Sequence, residues 1–91
     1  MSPVDTKQFE LERVVTLLKS FEWKLVSSDM SGNRVLGKFE KVIEGKPQEA
    51  MRFELDRITN VLKSAGWSLV SSAFEASRVV GSFEKVIPAA A

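Results

Sequence analysis

The chain from Phe9 to Ile43 lines up without a gap on the chain from Phe53 to Ile87, each residue matching the one 44 positions later, with 20 of 35 positions identical. Neither segment is long enough to bury its own apolar surface, so the two are expected to share one core and fold as one body with an approximate internal twofold. At 91 residues the chain reads as a single domain, 1–91, made of two repeats at 6–44 and 48–88. Its 44% hydrophobic and 27% charged residues suit a folded protein and not a disordered one.

Each repeat opens with helical period. Leu11, Val14, Leu17, Leu18 and Phe21, and then Leu55, Ile58, Val61, Leu62 and Ala65, recur at intervals of three and four and form one apolar stripe. Helices are expected near 6–21 and 48–65. Asp5 with Gln8 can form a capping box at the first start, Pro47 suits the opening turn of the second, and the Phe21-Glu22 junction or Gly66 closes them. Glu10 with Arg13, and Glu54 with Arg57, stand three apart as helix-surface ion pairs.

The rest of each repeat has period two. Trp23 to Ser28 and Trp67 to Ser72 read as strands, each followed by a turn and a longer strand, Arg34 to Ile43 and Arg78 to Ile87. Ser31-Gly32-Asn33 is good turn chemistry, whereas Glu75-Ala76-Ser77 is poor and predicts a longer or less rigid loop. With Glu44-Gly45-Lys46-Pro47 as the only linker, the order is αββαββ. The simplest closure is an α+β fold, a four-stranded antiparallel sheet with both helices on one face.

Alternation assigns the strand faces. Trp23, Leu25, Val35, Gly37, Phe39 and Ile43, with Trp67, Leu69, Val79, Gly81, Phe83 and Ile87, should face the helices. The opposite face then carries Val26, Leu36, Val42, Val70, Val80 and Val86 among Lys24, Lys38, Glu40, Ser82 and Glu84. Six aliphatics on a face that should meet water predict an association surface, formed by a second copy, with a dimer favoured, or by a protein partner. The plainer reading is that β-branched residues sit there because strands favour them, or that a bulge resets the alternation. The outer strands contain no proline and no bulge signal apart from the glycines, so edge pairing is a second route to association.

Other residues have structural readings beside functional ones. Mid-strand Gly37 and Gly81 are expected to make room for the indoles of Trp23 and Trp67 in the paired strands. Arg34, Arg78, Lys41 and Lys85 occur in equivalent places and could hold phosphates or flank Glu40 and Glu84 as cross-strand ion pairs. Ser27-Ser28 and Ser71-Ser72 are turn-starting serines, and Met30 and Phe74 can tuck over the core ends or insert into a partner.

Catalysis has little to draw on. The chain holds no His, Cys or Tyr, and no phosphate-binding glycine loop, metalloprotease or calcium-loop motif, so neither enzyme activity nor a metal or cofactor is expected. The leading expectation is a small non-catalytic interaction module. The alternative is single-stranded nucleic-acid binding through Lys24, Arg34, Lys38 and Lys41 of the first hairpin, with Arg78 and Lys85 of the second. Against it, the net charge is only +1 and the strand aromatics fall on the core face. No stretch approaches the about 18 apolar residues of a membrane span, and no leader pattern is visible at the start, so the expected address is cytoplasmic.

Overall fold

Pro3–Lys19 forms helix α1 and Gln48–Ser64 forms helix α2 in a computed structural model that describes residues 3–45, 48–75 and 77–87. Proline lacks an N–H that the first turn would leave unbonded, and its φ is already helical, so α1 starts at Pro3, ahead of the expected residue 6. Asp5 thereby lies within the first turn, and Gln8 donates to Glu12 at 2.9 Å. Pro47 lies outside the described residues.

Both helices end on one hydrogen-bond pattern. Glu22 N–H donates to the Lys19 carbonyl and Trp23 N–H to the Leu18 carbonyl, each at 3.0 Å; Gly66 and Trp67 do the same to Lys63 and Leu62 at 3.0 and 2.9 Å. This closure needs a left-handed residue at its corner. Gly66 supplies it with φ 89°, but in α1 the position is Glu22, at φ 69°. A side chain there crowds the following carbonyl by about 1–2 kcal/mol. Glu22→Gly is therefore expected to stabilise the fold by about 0.5–1 kcal/mol, after the greater unfolded-state freedom of glycine is subtracted. Thermal unfolding should show a rise of about 2–8 °C, and an unchanged or lowered midpoint would refute strain at Glu22.

Four strands follow the helices in pairs: β1 (Lys24–Ser31), β2 (Arg34–Val42), β3 (Ser68–Glu75) and β4 (Arg78–Val86). They form one antiparallel sheet in the order β1-β2-β4-β3, so the fold is α+β. Gly32, at φ 61°, takes the first corner of the two-residue β1–β2 turn, as its chemistry predicts. The β3–β4 connection is no longer than its counterpart, since β3 ends at Glu75 and β4 begins at Arg78; Ala76 lies outside the described residues. In the centre, Gly37 pairs with Phe83, Lys38 with Ser82 and Phe39 with Gly81. Ile43 N–H to the Ser77 carbonyl, and Ile87 N–H to the Asn33 carbonyl, carry the β2–β4 pairing into the turns.

The edge strands differ from plain alternation. The register slips between Leu25 and Ser27 in β1, and between Leu69 and Ser71 in β3, leaving Val26 and Val70 as extra residues in bulges. Beyond each bulge the faces exchange, so Ser28 and Met30 join the side of Gly37 and Val35, and Ser72 and Phe74 that of Gly81 and Val79. Ser27-Ser28 and Ser71-Ser72 are thus mid-strand, not turn-starting. The edges are β1 and β3, and both carry a bulge, while the glycines lie in the central strands.

One cluster forms the core. Leu11, Val14, Leu18, Leu55, Ile58 and Leu62 of the helices meet Trp23, Val35, Phe39, Trp67, Val79 and Phe83, with Met30 and Phe74 packed against it. Both helices therefore cover the same sheet face. The expected lodging of tryptophans on glycines does not occur. A Cβ on Gly37 would lie 2.8 Å from Phe39 Cε1 and 3.4 Å from Leu11 Cδ1, and one on Gly81 3.0 Å from Phe83 Cε1 and 3.1 Å from Leu55 Cδ1. Each glycine makes room for the phenylalanine two residues on and a helix leucine.

Candidate functional site: the outer sheet face

With both helices on one side, the other side of the sheet is bare. Pairing places Lys24, Ser27, Asp29 and Ser31 of β1, Arg34, Leu36, Lys38, Glu40 and Val42 of β2, and their counterparts on β4 and β3, on this outer face. Val42 and Val86 at strand ends, and Val26 and Val70 in the bulges, are 56%, 53%, 49% and 52% exposed. Leu36 is half-buried and Val80 only 8% exposed, the latter paired with Glu40 and Ala73. The six aliphatics expected at the interface thus divide into four that water reaches freely and two largely covered by their neighbours.

The candidate phosphate contacts divide also. Arg34 pairs with Glu84 at 3.1 Å, and Arg78 with Glu40 at 3.0 Å and Glu75 at 2.9 Å. The hydrogen bond to Glu75, then the charge of Glu40, raise the Arg78 pKa above its ordinary value. Lys24 and Lys38 remain exposed on the outer face. Lys41 and Lys85 do not reach it. Sharing the face of Phe39 and Phe83, they turn towards the helices: Lys41 Nζ donates to the Phe21 carbonyl at 2.9 Å and meets Glu54 at 3.2 Å, and Lys85 Nζ donates to the Ala65 carbonyl at 3.0 Å and meets Glu10 at 3.1 Å.

Each of these lysines ties the end of the preceding helix to the other helix. The expected pairs within each helix, Arg13–Glu10 at 3.7 Å and Arg57–Glu54 at 4.0 Å, are longer. The same carboxylates are thus held more closely by the sheet lysines. Arg57 also lies over the Phe21 ring, 4.5 Å from its centroid.

A charge absent from the sequence reading is Lys7. It is buried and donates to the Gly32 carbonyl in the first turn; 44 positions on in the sequence stands the buried Met51. Phe9 and Phe53, in contrast, are 59% and 65% exposed on the helix sides away from the core. Their position outside the apolar stripe was the available signal.

No group of three or more acidic, His or Cys side chains that could hold a metal, and no helix long and apolar enough to cross a membrane, occurs among the described residues. Comparison with protein-family models, with curated proteins and with solved structures found no match.

Proposed function

We propose that the protein is a non-catalytic interaction module that binds a second copy of itself through the outer sheet face. The observation that carries this reading is the set of four half-exposed valines, Val42 and Val86 on the sheet face that no helix covers and Val26 and Val70 in the bulges of the edge strands. Charge agrees. The face bears Lys24, Arg34, Lys38 and Arg78 against Asp29, Glu40, Glu75 and Glu84, four of each sign, so like faces meet without net repulsion. The bulges in β1 and β3 disfavour edge-to-edge pairing as the route, because they interrupt the ladder that an added strand would need.

The two repeats are read as related by an approximate twofold axis between Lys38 and Ser82, which are equivalent in sequence and opposite each other in the sheet. Reciprocal links support it, Arg34–Glu84 beside Arg78–Glu40 and Lys41–Glu54 beside Lys85–Glu10. The nucleic-acid reading has less support, since Lys41 and Lys85 face the helices and Arg34 and Arg78 already hold carboxylates.

Val26→Lys with Val70→Lys tests the association. Both positions are exposed, so folding should survive, while two charges per subunit enter the contact. With about 0.7–1.5 kcal/mol available from burying the exposed half of each of the four valines, two per subunit, the dimer dissociation constant should rise at least about 100-fold. Sedimentation at matched concentrations measures it; an unchanged constant would remove the sheet face from the interface.

A further inference from the structure

A cavity of about 430 Å³ opens where α1 ends and β1 begins, lined by Lys19, Glu22, Trp23, Lys24, Lys41 and Val42, among others. Its volume is in the range of small-ligand sites. Trp23, which forms part of the wall, is 2% exposed, and its Nε1–H is buried without an acceptor among the described residues. That donor is closed to solvent, so a ligand in the cavity would lie beside the indole without accepting from its N–H.

The second repeat supplies an internal comparison. Trp67 also has an unpartnered Nε1–H and lines a cavity of about 180 Å³ with Lys63 and Ser68, the counterparts of Lys19 and Lys24, but the other walls of that cavity are Thr59 and Leu69 and not the counterparts of Lys41 and Val42. Two residues around the larger cavity depart from the repeat: Lys24 stands where the second has Ser68, and Glu22 stands in a left-handed conformation where the second has Gly66. Backbone strain of this kind gathers at binding sites.

Charge narrows the ligand. Lys41 is engaged by Glu54 and the Phe21 carbonyl, and Glu40, also on the wall, by Arg78. Lys19 and Lys24 have no ion pair among the described residues, and Glu22 offsets one of them. We infer that this cavity binds a small organic monocarboxylate, its apolar body against Trp23 and Val42 and its carboxylate held by Lys24 and Lys19. The site shares Lys24 and Val42 with the outer sheet face, while Val26, Val70 and Val86 lie off its wall, so a second copy bound on that face and the ligand would compete for Lys24 and Val42.

Proton–nitrogen NMR of the full chain resolves the question, because Trp23 and Trp67 are its only indoles. Their N–H signals are assigned through bonds and checked in Trp67→Phe. Titration with benzoate, and with 3-methylbutanoate as a non-aromatic probe, should shift the Trp23 indole and the Lys24 amide saturably and leave the Trp67 indole in place. Lys24→Ser, which installs the residue of the second repeat, should weaken binding about three- to tenfold, the loss expected for one charge-assisted contact. The inference fails if neither probe moves the Trp23 indole saturably, if both indoles move together, or if inorganic phosphate alone reproduces the shifts.

Discussion

Phe39→Ala and Phe83→Ala are each expected to destabilise the fold by about 3–5 kcal/mol, whereas Phe9→Ala and Phe53→Ala should change it by less than about 0.5 kcal/mol. Phe39 and Phe83 are fully buried, their ring centroids 6.4 Å apart at the centre of the sheet, where each strand carries a glycine opposite the other strand's ring. Truncation would leave a cavity that two helices and a paired sheet cannot collapse. A domain of this length has about 5–14 kcal/mol of total stability, so either core variant should lose a large share of it. Urea midpoints compare the four variants; equal losses at the core and helix-surface positions would contradict the assigned core.

The second large effect is expected from overpacking. Gly37→Val should destabilise by about 2–3 kcal/mol and lower the thermal midpoint by about 10–20 °C. Even the first added carbon would stand 2.8 Å from the Phe39 ring, which is fully buried. Combining Gly37→Val with Phe39→Leu separates crowding from the strand preference of valine. Crowding predicts that the pair loses clearly less than the sum of the single changes; additive losses would assign the effect to something other than the ring.

Much of this arrangement was legible because period two and period 3.6 follow from backbone geometry. Alternation placed Val35, Phe39, Val79 and Phe83 on the helix face, and all four are fully buried. The same parity placed Lys41 and Lys85 beside them, which the phosphate-contact expectation overlooked. Their chains extend from the core face to the helix ends because a lysine stem can lie along apolar surface while its charge reaches carbonyls at the rim. The bulges at Val26 and Val70 were not legible in the same way. A bulge is two residues opposite one, so it is defined by the partner strand, and neither edge strand carries a local mark of it.

The candidate site was visible in outline and not in exposure. Alternation assigned Leu36 and Val80 to the outer face, but how far neighbouring side chains cover them depends on the strand order β1-β2-β4-β3, which periodicity does not contain. Glu22 did have a sequence signal in its alignment with Gly66, the residue that a left-handed corner prefers. The cavity beside Trp23 had none. It arises from the junction of a helix end with the opening of one strand and the far end of another.

The most direct measurement of the central claim is the solution mass of the native chain, by light scattering behind size exclusion over a wide concentration range. Association through the outer sheet face predicts a dimer, twice the mass of one chain, that dissociates on dilution. A single-chain mass at every concentration would contradict it.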